Sequence, residues 1–169
     1  MKNSAVILLV GIGIFLSAFT VVAQEYALSI ASQGVVQTVN VRAGEKVKKG
    51  QVLLTLDRRV YQARLDEAVA GLRSMKLDFD EQKKELARAE ELYDRTVTSD
   101  RDLSLAKIAF ANAESQLKKA QREEAQARYD FEHSRLLAPF TGKIKFVHAF
   151  PGMVVVNQMK ATVLMTMEK

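Results

Sequence analysis

The chain has 169 residues, no cysteine, no tryptophan and a net charge of +5. This length excludes a large multidomain enzyme and favours one compact domain, or one small domain with an appendage. The lack of cysteine excludes disulfides, thiolate metal sites and a lipidated cysteine. Basic and acidic residues alternate, as in EEAQAR, which is typical of a solvated helix face and not of a phosphate-binding patch, so no nucleic-acid partner is expected.

The N-terminus has the pattern of an export signal. Lys2 precedes the apolar segment AVILLVGIGIFLSAFTVV, and VVAQ offers small residues for cleavage after Ala23. Residues 1–23 are therefore predicted to be a signal peptide. Because residues 5–23 approach the roughly 20 apolar residues that span a bilayer, an uncleaved membrane anchor is the alternative.

Two segments with the pattern of short strands flank the middle of the chain, at residues 27–57 and 138–169. In GVVQTVNVRAGEKVKKGQVLLTLD, valines and leucines alternate with polar residues, and APFTGKIKFVHAFPGMVVV has a similar texture. About 30 residues of strand bury too little surface to fold alone, so the two segments are predicted to pair. The glycines predicted to form their turns are Gly44, Gly50, Gly142 and Gly152.

Residues 58–137 carry two consecutive heptad patterns separated by a short stretch at about 94–101. Two such helices with so short a connection are neighbours only if they run antiparallel, so the sequence predicts a coiled-coil hairpin of roughly 55 Å. Asp57 is expected to cap the first helix and Pro139 to end the second. The large residues of the predicted seam, at a positions, are Leu65, Leu72, Phe79, Leu86 and Tyr93, then Leu103, Phe110, Leu117 and Phe131.

The connection at the hairpin tip contains no glycine or proline. Ser99 and Asp102 have the spacing of a capping box, in which the serine hydroxyl accepts a bond from the Asp102 amide and the Asp102 side chain reaches back. The preceding β-branched residues, Thr96, Val97 and Thr98, disfavour continuation of the first helix. The sequence therefore predicts a capped turn at the tip.

The two strand segments resemble the halves of a biotinyl/lipoyl domain. A helical hairpin between such halves is the arrangement of the periplasmic adaptor, or membrane fusion protein, family, and the resemblance covers about residues 27–169. It implies an α+β fold, with an antiparallel coiled-coil hairpin inserted between two halves of a biotinyl/lipoyl-like β-sandwich. It also implies a non-enzymatic periplasmic subunit that assembles into a ring or joins full-length adaptors.

The resemblance extends to three residues near the tip. Adaptors that dock on exit ducts carry an Arg, a Leu four positions on and a Ser seven further, and Arg88, Leu92 and Ser99 stand at this spacing. The resemblance implies contact with an outer-membrane channel of the trimeric exit-duct type, and with an inner-membrane transporter of the RND or ABC type. The alternative interpretation is purely structural: Leu92 belongs to the peripheral core, Arg88 is a solubilising charge and Ser99 is a helix cap.

The sequence also departs from the family. A full adaptor continues into a β-barrel and a membrane-proximal domain, whereas this sequence stops at Lys169, so the resemblance implies a minimal form. One alternative is a truncated regulatory adaptor. Another is a biotinyl- or lipoyl-type carrier module modified at Lys160, although the helical insertion takes the place where such domains present their lysine.

No cofactor, metal or catalytic centre is expected. His133 and His148 lie in different segments without a partner at ligand spacing, and no nucleophile elbow, phosphate loop or acid pair appears. Thioethers select Cu(I), but methionine more often fills gaps in a β core. The methionines concerned are Met153, Met159, Met165 and Met167.

Overall fold

The computed structural model describes residues 24–156 and 161–169. The predicted signal segment 1–23, Met159 and Lys160 lie outside these residues. Within them, four strands precede two long helices and four strands follow. The elements are β1 Glu25–Leu28, β2 Gly34–Val39, β3 Lys46–Val47, β4 Val52–Leu56, α1 Arg59–Asp94, α2 Asp100–Glu132, β5 Arg135–Leu137, β6 Gly142–Val147, β7 Val154–Val155 and β8 Met165–Glu168.

The strands form two four-stranded sheets, and each sheet combines strands from both ends of the chain. One sheet has the order β1-β8-β6-β3 and the other β5-β4-β2-β7, with antiparallel pairing throughout. The core between them contains Leu53, Leu56, Ile144, Leu164 and Met167, all fully buried. The predicted pairing of the two segments, and the α+β fold with a hairpin between the halves of a β-sandwich, are confirmed.

Three of the four predicted turn glycines lie in turns with a left-handed backbone. Gly44, Gly50 and Gly152 have φ values of +87°, +81° and +89°, which favour glycine because a Cβ is strained there. The prediction for Gly142 is wrong, since this residue begins β6. A Cβ at Gly142 would collide with the carbonyl oxygen of Glu168 on β8, so glycine is required by close strand approach instead.

The helices α1 and α2 form the predicted hairpin, and 36 residues of α1 give it a length of roughly 54 Å. Phe79 and Phe110 meet across the seam with ring centroids 5.3 Å apart. Ala113 and Ala120, at small d positions, are buried because the helices approach closely there. The predicted large seam residues that are buried or half-buried are Leu65, Leu72, Phe79, Leu86, Leu103, Phe110, Leu117 and Phe131.

The tip end of the seam and both limits of the hairpin differ from prediction. Tyr93 is 40% exposed, and Leu92 takes the half-buried position instead. The cap of α1 is Arg58, whereas Asp57 lies one residue earlier and accepts a bond from the Arg59 amide at 3.1 Å. The second helix ends at Glu132 and not before Pro139.

A strand explains the early end of the second helix. Residues 135–137, inside the range predicted as hairpin, form β5, which pairs with β4. Alternate residues Leu136 and Ala138 are buried in the sandwich core, so tertiary packing favours the extended conformation over a further helical turn.

The base of the hairpin is fixed to the sandwich by polar and aromatic contacts. The Tyr61 hydroxyl donates to the carbonyl of Gln33 in the β1–β2 connection. The Arg58 guanidinium lies 3.7 Å from the centroid of Phe131 and donates from Nε to the Ser134 hydroxyl at 3.2 Å. These contacts set the direction in which the hairpin leaves the sandwich. In the described part of the chain, neither helix has an apolar stretch long enough to cross a membrane.

Candidate docking site at the hairpin tip

Residues 95–99 connect the two helices through two end motifs placed back to back. At the end of α1, the Thr96 amide donates to the Tyr93 carbonyl at 2.8 Å and the Val97 amide to the Leu92 carbonyl at 2.9 Å. This pair of bonds is a Schellman motif, which satisfies the last carbonyls of a helix. The first helix therefore ends with its backbone groups paired.

The Schellman motif places Thr96 in a left-handed conformation, with a φ of +59°. Glycine or asparagine usually occupies this position, because a β-branched side chain crowds the backbone there. Among the described residues, Thr96 is the sole non-glycine residue with positive φ. The backbone of the tip is therefore strained at this one residue.

The second helix begins with the predicted capping box, which is confirmed. The Ser99 hydroxyl accepts a bond from the Asp102 amide at 3.2 Å, and the Asp102 carboxylate accepts a bond from the Ser99 amide at 3.4 Å. The Ser99 hydroxyl also donates to this carboxylate at 2.6 Å. The Thr98 hydroxyl also donates to this carboxylate at 3.3 Å. The hydrogen bonds from Ser99 lower the pKa of Asp102, so the cap stays charged.

The three residues matched to the family motif do different things in the isolated chain. Arg88 is exposed and pairs with Glu85 at 2.7 Å, Leu92 is half-buried one turn nearer the tip, and Ser99 caps α2. Exposed ion pairs of this kind contribute little stability. Arg88 is therefore available to exchange Glu85 for a partner at low cost.

Exposed apolar side chains near the tip were not predicted as site residues. Val97 is 66% exposed at the turn itself, and Leu105 is 54% exposed on α2. Tyr93 stands between the helices' ends, where a hydrogen bond to Asp100 raises the pKa of its phenol. The signal in the sequence is that Val97 and Leu105 are apolar although they fall outside the heptad seam.

The tip exposes apolar and charged side chains. In residues 24–156 and 161–169, no group of three or more His, Cys, Asp or Glu side chains is placed to hold a metal ion. Met165 and Met167 are buried in the sandwich core and Met153 packs against it, as expected for gap-filling methionine. His133 stacks on Tyr129 with ring centroids 3.7 Å apart.

Comparison with known proteins gives the same architecture. Residues 25–165 match the family described as CzcB-like, barrel-sandwich hybrid domain. The chain is 28% identical over 138 residues to the multidrug resistance protein MdtA of Yersinia enterocolitica. The matched region covers 80% of this chain and 30% of MdtA.

Two solved structures illustrate the fold match. The membrane fusion protein Spr0693 from Streptococcus pneumoniae R6 superposes with a TM-score of 0.66 at 18% identity, covering 86% of this chain and 60% of that protein. ZneB from Cupriavidus metallidurans gives a TM-score of 0.62 at 21% identity, with 85% and 60% covered. The chain thus spans less than two thirds of the length of these relatives. Because the family match extends over most of the sequence, the chain belongs to the CzcB-like barrel-sandwich hybrid family, the membrane fusion or periplasmic adaptor proteins.

Proposed function

We propose that this chain is a periplasmic, non-enzymatic adaptor subunit of a tripartite efflux or export system. In this proposal the hairpin tip docks on an outer-membrane channel of the trimeric exit-duct type. The sandwich end faces an inner-membrane transporter of the RND or ABC type. Several copies, or this chain together with longer adaptors, surround the path of the substrate.

The observation that carries the proposal is the construction of the tip. A projection of roughly 54 Å ends in a turn whose backbone groups are paired by a Schellman motif and a capping box. Such a tip loses little conformational freedom on binding, which lowers the entropic cost of docking. Arg88, Leu92 and Ser99 at the family spacing lie on or next to it.

The exposed side chains suit a helical partner. Val97 at the turn offers an apolar contact, and Arg88 offers a charged group whose present partner is one exposed carboxylate. An interface that combines an apolar contact with an Arg has the composition of many protein interfaces. Weak contacts by several tips on one channel would add through multivalency.

The experiment uses a photo-crosslinking residue in place of Val97 in the full chain. This site is preferable to Ser99, whose replacement removes the cap, and to Leu92, which is half-buried. In cells, we expect capture of an outer-membrane channel protein, and we expect Arg88→Asp to reduce that capture about tenfold or more, since charge reversal adds repulsion to a lost contact.

The matched control is Lys76→Asp, a charge reversal of the same sign on an exposed site of α1, 12 residues from Arg88. Lys76 lies roughly 18 Å along the helix from Arg88, so its substitution should leave channel capture unchanged. Circular dichroism should show equal helix content in both variants. Loss of helix in Arg88→Asp alone would assign this arginine to folding and contradict its docking role.

A further inference from the structure

The positive charge of the chain is concentrated outside the hairpin. Residues 58–137 contain 16 basic and 16 acidic residues, so the hairpin has no net charge. Residues 24–57 and 138–169 contain eight basic and four acidic residues. The sandwich segments therefore hold four of the five excess positive charges, and such an asymmetry favours contact of the sandwich with an anionic partner.

A row of charged residues crosses one sheet at its end away from the hairpin. Strand pairing aligns these residues in the order Glu25 on β1, Glu168 on β8, Lys143 on β6 and Lys46 on β3. From Glu25, β1 runs towards the connection in which Gln33 contacts the base of the hairpin. The row therefore lies at the far end of the sandwich.

Five exposed basic residues cluster at this end and form the basic patch. They are Lys46 and Lys143 in the row, Arg42 in the β2–β3 connection, and Lys48 and Lys49 in the β3–β4 connection. Lys46 and Lys143 are direct partners on adjacent strands, where like charges destabilise a sheet. An anionic partner would relieve this repulsion.

The acidic groups near the basic patch already have other partners. The Glu45 carboxylate accepts a bond from the Arg42 amide at 3.0 Å. The Lys145 ammonium donates to Glu25, and this bond, with a smaller contribution from Glu168, raises the pKa of Lys145. In the described structure, no residue of the basic patch belongs to an ion pair. Its charges are therefore available to an external anion.

Hydrogen bonds fix the two connections that carry three of these charges. The Lys49 amide donates to the Thr141 hydroxyl at 3.1 Å. The Gly44 amide donates to the Ile144 carbonyl at 2.7 Å. Because both connections are tied to neighbouring segments of the sandwich, binding an anionic surface does not require them to become ordered, which lowers its entropic cost.

The basic end is also where the apolar N-terminal segment joins the molecule. The described chain begins at Gln24, next to Glu25 of the row, and residues 5–23 are predominantly apolar and close to the length that spans a bilayer. If this segment stays in a bilayer, Gln24 alone separates it from the row. The basic patch is then held at the level of the lipid headgroups, which favours a lipid surface over other anionic partners.

We propose that the basic patch binds the headgroups of anionic phospholipids, so that the sandwich rests on a membrane surface and the hairpin points away from it. Lysine and arginine side chains close to such a surface are attracted by its negative potential, and their contributions add. This inference goes beyond the proposed function. Lipid contact and transporter contact at this end are compatible, because the transporter lies in the same membrane.

The test uses the full chain reconstituted into vesicles, with a polarity-sensitive fluorophore on Ala43→Cys. Ala43 is exposed beside Arg42, and the chain has no other cysteine. We expect fluorescence about twofold higher in phosphatidylcholine vesicles with about 30% phosphatidylglycerol than in phosphatidylcholine alone. At roughly 0.5 M salt the screening length falls to about 4 Å, and the difference should disappear.

The same fluorophore on Ala87→Cys is the positional control. Ala87 is exposed on α1, roughly 42 Å along the helix from Arg59. Its fluorescence should be equal in the two kinds of vesicle. Both labelled chains contain the same N-terminal segment, so insertion of that segment cannot produce a difference between the two positions.

A charge reversal tests the basic patch itself. Lys46→Glu combined with Lys48→Glu should abolish the response to phosphatidylglycerol at the labelled connection. The matched control is Lys76→Glu with Lys83→Glu, the same change of charge at two exposed sites of α1, and it should leave the response intact. If circular dichroism shows that the reversal disturbs the sheet, replacement of both patch lysines by glutamine should still reduce the response by about half or more.

Three outcomes overturn the inference. Equal fluorescence from Ala43→Cys in neutral and anionic vesicles would refute lipid binding and leave an acidic protein surface as the partner of the patch. Equal increases at Ala43→Cys and Ala87→Cys would indicate adsorption of the whole chain. A response that survives the patch reversal would exclude these lysines. Channel capture from Val97 tests the proposed function separately, since it depends on the tip.

Discussion

At the scale of single residues, the tip shows how a chain reverses direction without glycine or proline. Thr96 adopts the left-handed conformation that closes the Schellman motif, and three residues later Ser99 opens the next helix with its capping box. The hydrogen bonds of both motifs compensate for the strained backbone at Thr96. The turn is therefore fixed in shape but not optimised for stability.

Thr96→Gly is expected to stabilise the chain. Glycine removes the crowding of a β-branched residue at positive φ, which costs roughly 1–2 kcal/mol, and part of this gain is lost to the greater freedom of glycine in the unfolded chain. We expect the free energy of unfolding to rise by up to about 1 kcal/mol in urea titrations.

Thr98→Gly is the control for this substitution. Thr98 lies two residues away, has no positive φ, and donates a hydrogen bond to Asp102. Glycine there should lower the free energy of unfolding by about 0.5–1 kcal/mol. Equal effects of the two substitutions would contradict the assignment of strain to Thr96.

Asp57, at the start of the hairpin, makes a pH-dependent contribution to the stability of the folded chain. The side chain and amide of Arg59 donate to its carboxylate and lower its pKa from 3.8 to about 2. Because the pKa is lower in the folded state, the stabilisation is fully present above 3.8 and disappears as the pH falls towards 2. The melting temperature of Asp57→Asn should thus lie slightly below that of the unsubstituted chain near neutral pH and coincide with it near pH 2. A difference that persists or grows in acid would have the wrong sign.

Local motifs were predictable where a fixed spacing specifies them. Ser99 and Asp102 have the capping-box spacing, and the structure has that box. Asp57 was misassigned because Arg58 intervenes before the helix and the carboxylate binds the first amide from one residue earlier. Gly142 was misread as a turn, since its proximity to Glu168 on β8 is a long-range contact that no local pattern reveals.

At the scale of the elements, the hairpin depends on a narrow seam. Most of its large a residues are half-buried and two small d residues, Ala113 and Ala120, are buried, as expected for two helices without a third partner. Most of the surface of α1 and α2 remains exposed to solvent. Packing at the seam thus contributes strongly to the stability of the hairpin.

Two leucines on α2 separate seam packing from helix propensity. Leu117 is half-buried at an a position, whereas Leu105 is 54% exposed on the outer face. Leu117→Ala should lower the free energy of unfolding by about 2 kcal/mol, the low end for a packed leucine, because the site is partly open to solvent. Leu105→Ala should change it by less than about 0.5 kcal/mol. Thermal unfolding followed by circular dichroism measures both, and similar losses would exclude the predicted seam.

The existence and pairing of the helices were predictable because the heptad signal repeats many times, so single exceptions do not hide it. Their limits were not. At the tip, the Schellman motif ends α1 close to Tyr93, so Tyr93 does not add another packed layer to the seam. Leu92 is half-buried instead. At the base, residues 135–137 form strand β5 of the sandwich, and a helical pattern in the sequence does not reveal this strand.

At the scale of the whole molecule, the two ends of the chain close one β-sandwich, and the hairpin leaves it as a single insertion. Each sheet combines strands from both ends of the chain, and β4 pairs with β5 at the base of the hairpin. The tip lies at one end of the molecule. Lys143, on β6 between β3 and β8, lies at the end of the sandwich away from the hairpin. The molecule therefore presents two distant surfaces, which the proposed bridging function requires.

The most direct test of the adaptor account is photo-crosslinking from both ends of the full chain in intact cells, with the crosslinking residue at Val97 in one variant and at Lys143 in the other. The account predicts that the tip variant captures an outer-membrane channel protein and that the sandwich variant captures an inner-membrane transporter. Capture of the same partner from both sites, or of no membrane protein from the tip, would contradict it.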